Sequence, residues 1–372
     1  MQGAHAYNDT IGAIRAVLLG AVRKSWEQGV AANALLELEY PELSIFGSDP
    51  LAFGKAVVPQ SVLALALSAV YLQGDDGRLS QKIGSGTDGA ALDGASAGIA
   101  VLLGARLDPD TERRKFWQAA ADKQLAYILE KAPRTDSGAI SHRALDRECW
   151  SDAIYMGPPF LAYFALQSNN ASLLRLAVDQ CRLYRQALKQ EDRGGWRHIY
   201  SDDRKEFLDA GCWATGCAWA ALGMTFVRRA LELHSSPAEY ETESNELGAW
   251  IREILGAAFD AAERTKGHLV PNYLDADPAG TFGECAGSAA FVACAYRCAT
   301  HWPAEFTLDA RVERVRDAVV SGVDELGIMQ PVVDPLGVTP TLVGLLSPEA
   351  QAFGLMMFAA WRDYELSGAQ KT

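Results

Sequence analysis

The chain has 372 residues, 49% of them apolar and 22% charged, with a formal net charge of −13. This is an ordinary globular balance with enough apolar side chain for a large core, read as one domain over residues 1–372. The charge argues against nucleic acid or an anionic membrane as partner, since both need a basic footprint; an anionic substrate needs a local basic group to offset the overall field.

Residues 11–22 are apolar, but no basic segment precedes them, and the pattern runs on into an amphipathic helix with Arg15, Arg23 and Lys24. It therefore reads as a helix and not a signal peptide, which predicts a cytoplasmic protein; a secreted protein whose signal has been removed is the alternative. No stretch is long enough to span a membrane. Apolar residues then recur at three- and four-residue steps over 62–72, 99–105, 115–129, 153–166, 173–188, 213–233, 247–262 and 286–299, which predicts helices; alternating runs are nearly absent. Breaker clusters separate them at Gly74-Asp75-Asp76-Gly77, Asp108-Pro109-Asp110, Gly194-Gly195 and Asp277-Pro278. Asp110-Thr111-Glu112 and Ser347-Pro348-Glu349 carry N-cap chemistry, the latter with Pro at the first helical position.

A slower repeat of roughly 60–70 residues, the size of a helical hairpin, underlies this. Every second helix opens with a small, polar or aromatic cluster: Trp26-Glu27-Gln28-Gly29, Asp93-Gly94-Ala95-Ser96, Trp150-Ser151-Asp152, Trp213-Ala214-Thr215-Gly216, Phe282-Gly283-Glu284 and Ser347-Pro348-Glu349. Six such units close a double ring, an all-α (α/α)6 barrel, with the cluster-bearing helices inside. The charged helices over 113–131 and 243–264 lie outside. An open helical solenoid is the alternative.

The seven cysteines are odd in number and scattered, which points to a reducing compartment without disulfides; none has a zinc-site spacing, and no metal is expected. Nucleotide-loop, nucleophile-elbow and zinc-protease motifs are missing, and Gly84-Ser85-Gly86 follows no strand, so no cofactor is expected. No pattern specifies an oligomer.

Asp152 sits among bulky apolar residues near a helix start, where a carboxylate is either an N-cap or a buried acid. Ser151 can supply the cap. Apolar burial raises a carboxylate pKa and keeps a proton available for donation. The Pro158-Pro159 pair breaks the helix and can aim Tyr155 and Met156 at a pocket. Asp93, before a run of small residues, is a second such acid or a plain cap. His198 and His142 stand in loops, where a surface role and a site role both remain open. Trp26, Trp150, Trp196, Trp213 and Trp219 line the mouth of a closed ring in this reading, as stacking platforms; any one of them alone is more often core.

The string Trp150-Ser151-Asp152-Ala153-Ile154-Tyr155-Met156-Gly157-Pro158-Pro159-Phe160-Leu161 resembles the signature of the unsaturated rhamnogalacturonyl hydrolases, glycoside hydrolase family 105, which are related to the unsaturated glucuronyl hydrolases of family 88. The resemblance, to a fungal branch, runs nearly the whole chain through Ser25-Trp26-Glu27, Ile140-Ser141-His142-Arg143, Trp196-Arg197-His198, Trp213-Ala214-Thr215-Gly216, Phe282-Gly283-Glu284 and Ser347-Pro348-Glu349. It implies an (α/α)6 barrel and hydration of the C4=C5 double bond of an unsaturated uronic acid at the non-reducing end of an oligosaccharide. By the same resemblance Asp152 is the acid/base, Asp93 the second carboxylate, His198 a pocket histidine and Trp213 a stacking platform. The bacterial signature has an arginine two residues after that tryptophan; here it is Thr215, followed by Cys217-Ala218, and Arg143 or Arg197 is the candidate replacement. Two rivals stay open. One is a repurposed barrel that dehydrates, isomerises or cyclises a less polar small molecule; the other is a non-catalytic scaffold whose acids are caps.

Overall fold

The structure is a computed structural model that describes residues 3–23, 25–53, 57–80, 89–191, 194–277, 280–334 and 343–368. The Gly84-Ser85-Gly86 string, Lys24 and Pro278 lie outside them. Among the described residues are thirteen α-helices: α1 (Asn8–Ala21), α2 (Ser25–Glu39), α3 (Gln60–Tyr71), α4 (Gly98–Leu107), α5 (Thr111–Ala126), α6 (Ala153–Met156), α7 (Pro158–Ser168), α8 (Ala171–Leu188), α9 (Ala214–Leu233), α10 (Glu241–Ala262), α11 (Cys285–His301), α12 (Ala310–Ser321) and α13 (Pro348–Ser367).

Six of these make an inner ring. In order, α2, α4, α7 (with the short α6), α9, α11 and α13 each pack on the next, and α13 packs on α2 to close the circle. The other six lie outside: α1 against α13, α3 across α2 and α4, α5 on α4, α8 on α7, α10 on α9, and α12 on α11. This is the (α/α)6 barrel, and the open solenoid is ruled out by the contact between α13 and α2.

The two layers differ in sequence for a physical reason. An outer helix buries one stripe: α8 hides Leu173, Leu174, Ala177, Val178, Cys181, Tyr184 and Leu188 and turns its charges to solvent. An inner helix is covered on all sides, so every residue of α11 from Cys285 to Ala299 is buried. Small residues let the inner helices approach closely. A Cβ on Gly223 would overlap the Ile154 carbonyl oxygen of α6, and one on Gly29 would overlap Ser96.

The N-caps read from sequence are present. Asp110 accepts from the Arg113 amide and Ser347 from the Ala350 amide, with Pro348 at the first helical position. The proline pair breaks the helix as expected, ending α6 at Gly157 and starting α7 at Pro158. All seven cysteines are free and buried. Among the described residues no helix is long and apolar enough to cross a membrane.

Five short strands qualify the near-absence of strands: β1 (Glu148–Trp150), β2 (Ile199–Ser201), β3 (Glu206–Asp209), β4 (Val332–Val333) and β5 (Val343–Gly344). Runs this short hold too few alternations to register a two-residue period. The antiparallel sheet β1-β2-β3 pairs Trp150 with Ile199 and Ile199 with Asp209.

Gly223→Ala should cost about 1–3 kcal/mol, the range for overpacking a tight core. Gly12→Ala on α1, where a Cβ meets nothing, should be neutral or stabilise by up to about 1 kcal/mol. Thermal melts of the two variants check the contrast, and equal melting temperatures would contradict the close α6–α9 approach.

Candidate active site

The chain enters all six inner helices from the same end of the barrel. Their first turns bring together Trp26 and Glu27 on α2, Asp93 in the 3-10 turn before α4, Asp152 before α6, Trp213 before α9, Glu284 at the cap of α11 and Glu349 on α13. Helix N-termini carry partial positive charge, which offsets part of the cost of gathering carboxylates in one place.

Asp152 occupies the N-cap position of α6 but makes no capping bond there. Its Oδ2 lies 3.3 Å from the Ser151 hydroxyl and 3.4 Å from Nε2 of His198. The other His198 nitrogen, Nδ1, is 2.9 Å from Oδ2 of Asp209, which also accepts from the Tyr273 hydroxyl at 2.8 Å. The sheet builds this line. Ser151 donates its amide to the His198 carbonyl (3.0 Å) and His198 donates its own to the Gly211 carbonyl (2.9 Å), so β1, β2 and β3 hold Asp152, His198 and Asp209 in register.

Burial pushes the His198 imidazolium down, but the carboxylates of Asp152 and Asp209 on its two nitrogens outweigh it and raise the pKa to about 9. Burial pushes Asp152 up, yet hydrogen bonding to His198 and the charges of His198 and His142 leave it below the usual carboxylate range. The expectation that burial alone leaves Asp152 protonated is thereby corrected: in the unliganded site the proton sits on His198.

The second acid has its own histidine. His142 Nε2 is 3.5 Å from Oδ1 of Asp93. Burial is the main cause that lowers His142 to about 4, against the pull of Asp152 and with the help of Arg143 and His198, so this imidazole is neutral at pH 7. Trp150 connects the two halves. It stacks on His142 (centroids 4.9 Å, 26°), meets His198 edge-on (5.6 Å, 73°) and anchors its indole N–H on Glu148 at 2.7 Å. Trp213 packs on His198 at 4.7 Å and donates to Asn272 at 3.0 Å. The Arg143 guanidinium lies 5.5 Å from the Trp150 ring centre and joins no ion pair among the described residues.

Several predicted site residues are engaged within the protein itself. Trp219 (1% exposed) and Trp196 (0%) belong to the core and not to the mouth. Trp219 packs on Tyr155 (4.6 Å) and Phe353 (4.4 Å). Tyr155 is buried too, its hydroxyl accepting from Asn33 at 3.0 Å, and Met156 is buried beside it. Thr215 is fully buried and donates to Glu284 at 3.3 Å, so its hydroxyl is already used within the protein. The Arg197 guanidinium stacks on Phe207 at 4.7 Å and not on Trp150. Trp26 stays half-buried and donates to Glu349 at 2.9 Å. Asp209, Tyr273 and Glu349 are site neighbours that the sequence does not single out, since Glu206-Phe207-Leu208-Asp209 carries no alternation and Glu349 reads as part of a helix start. Among the described residues no three His, Cys, Asp or Glu side chains are disposed to hold a metal ion.

Residues 85–329 match the family model described as Glycosyl Hydrolase Family 88. The fold is similar to a possible member of the GH105 family from Salmonella enterica serovar Paratyphi A (14% identity, 97% of this chain and 95% of that one, TM-score 0.75). It is also similar to a family 105 glycoside hydrolase from C. acetobutylicum (14%, 97% and 99%, TM-score 0.73). A third likeness is to the unsaturated glucuronyl hydrolase of Bacillus sp. GL1, responsible for the degradation of glycosaminoglycan (13%, 86% and 85%, TM-score 0.55). At these identities the likeness is one of fold. No curated protein matches the chain.

Asp209→Asn removes one of the two charges that hold the proton on His198. The His198 pKa should fall from about 9 by about 1–2 pH units, the size expected for losing one adjacent opposite charge. Imidazole resonances followed by NMR across pH read this directly, and an unchanged titration would show that Asp209 does not hold the proton.

Proposed function

The chain belongs to Glycosyl Hydrolase Family 88, and from that premise we propose that it hydrates the C4=C5 double bond of an unsaturated uronic acid at the non-reducing end of a lyase-generated oligosaccharide. The observation that carries this reading is an aspartate at a helix start that does not cap the helix and faces a protonated histidine instead.

The resting site stores the proton on His198, 3.4 Å from Asp152. A uronate carboxylate bound nearby adds like charge beside Asp152, which raises its proton affinity and draws the proton across. Asp152 then gives this proton to C4 of the enol ether, leaving positive charge shared by C5 and the ring oxygen. Water adds at C5 and returns a proton to Asp152. The resulting hemiketal opens by breaking the bond from C5 to the ring oxygen, giving a C5 ketone, and the C1 hemiacetal so formed releases the aglycone. This chemistry never displaces a group at the anomeric carbon, unlike the ordinary two-carboxylate mechanism. Asp93, with neutral His142 at 3.5 Å, is placed to orient the water or the sugar.

Arg143 supports the uronate reading. It is a cation without a carboxylate partner among the described residues, set over the indole that joins both histidines. It stands in for the arginine that Thr215 replaces. The apolar-ligand alternative uses Cys217 in the pocket wall, but that side chain is fully buried, with its thiol on the Trp196 carbonyl at 3.2 Å. The scaffold alternative needs Asp152 to be a cap.

Loss of enol-ether absorbance in an unsaturated disaccharide tests the reading. Asp152→Asn should lower kcat by about 10²–10⁴ with the fold intact by circular dichroism. Arg143→Ala should raise KM about ten- to a hundredfold, the worth of one or two charge-assisted hydrogen bonds. Because the His198 pKa is raised, its proton is fully present through neutral pH and lost as pH rises through about 9, so kcat should fall there. A fully active Asp152→Asn would refute the mechanism.

A further inference from the structure

Glu349 is a carboxyl that the chemistry above leaves unused. It lies in the first turn of α13, 2% exposed, inside the circle of inner-helix N-termini. One oxygen, Oε2, accepts from the Trp26 indole at 2.9 Å; the other, Oε1, is buried and has no hydrogen-bond partner. The helix does not need it, because Ser347 already caps α13 through the Ala350 amide at 3.1 Å. The charged groups that act on it most strongly are Asp152 before α6, Glu284 at the cap of α11 and Glu27 on α2, and all three are acids. A buried polar atom without a partner calls for an explanation in a folded protein.

We propose that Glu349 is a ligand-contacting residue whose Oε1 carries a proton and donates it in a hydrogen bond to an acceptor oxygen of the sugar bound between Trp26 and Asp152. Burial first, and then the charges of Asp152, Glu284 and Glu27, raise its pKa to about 8 against the pull of the Trp26 N–H, so the acid is neutral at pH 7. A neutral donor is the form that suits this place. A second ionised carboxylate there would repel an anionic sugar and would leave the acceptor oxygens of the ring opposite another acceptor. The inference rests on the uronyl-hydrolase reading for the identity of the probe, an unsaturated disaccharide.

Two measurements separate this contact from the reaction. In the active protein, KM should rise about tenfold between pH 7 and pH 9 as Glu349 loses its proton, with kcat following the separate limb of His198. Glu349→Gln keeps a donor in place and should hold KM within about threefold of the wild type at pH 7 and flat to pH 9. Glu349→Leu removes the donor and should raise KM at least tenfold with kcat within about threefold. The second measurement is calorimetric binding of the same disaccharide in an Asp152→Asn background, which needs no turnover. There the alkaline loss of affinity should move to lower pH, since one neighbouring charge is gone, and should vanish when Glu349→Gln is added. Glu349-dependent binding of a disaccharide that the wild-type protein does not turn over would sink the hydrolase reading and leave this contact standing. Affinity that is flat from pH 7 to 9 and indifferent to Glu349→Leu, in variants that melt like the parent, would overturn the contact. So would the absence of any binding.

Discussion

One imidazole between two carboxylates sets the chemistry of this barrel. His198 reaches Asp209 through Nδ1 at 2.9 Å and Asp152 through Nε2 at 3.4 Å, and neither acid carries the proton in the unliganded site. Much of the local architecture serves that line. The three-stranded sheet fixes the backbone on either side of His198, the Tyr273 hydroxyl holds Asp209 from behind, and the break at Gly157-Pro158 ends α6 one turn after Asp152. Without the break, the segment after Asp152 would be one continuous helix, and α7 could not take its own place in the inner ring.

The charge balance at the ring centre follows from the fold. A chain of net charge −13 places Asp93, Asp152, Glu284 and Glu349 at the openings of its inner helices. The arrangement is tolerable because each acid is answered differently. Asp152 faces an imidazolium, Asp93 a neutral imidazole, Glu284 accepts from the amides of Gly287 and Val333, and Glu349 holds its proton. Helix N-termini add partial positive charge from the backbone. The two histidines differ in the same way: one has a carboxylate on each nitrogen and is charged, while burial keeps the other neutral.

The tryptophans divide by depth. Trp150 and Trp213 touch the histidines and Trp26 touches Glu349, each with its indole N–H anchored on a polar side chain. Trp196 and Trp219 are fully buried core residues. The anchored rings are fixed by their indole N–H bonds, whereas Trp219 is fixed by packing on Tyr155 and Phe353.

Amino-acid order alone determined the helices, their alternation between covered and half-covered, and the repeat that closes six hairpins into a ring, because burial periodicity is a local property of sequence. It also marked Asp152, Asp93, His142 and His198, through odd polar residues at apolar helix starts and in aromatic loops. It did not determine which tryptophan faces the site, nor that Thr215 is spent on Glu284, because both depend on contacts between segments about 65–135 residues apart. Asp209 reaches His198 across strands too short to leave a pattern, and Glu349 looked like part of an ordinary helix start. The protonation of the site likewise arose in three dimensions. Burial predicts an acid that keeps its proton at Asp152; the imidazole brought in from residue 198 takes that proton, and the acid that keeps one is Glu349, ringed by carboxylates from three other segments.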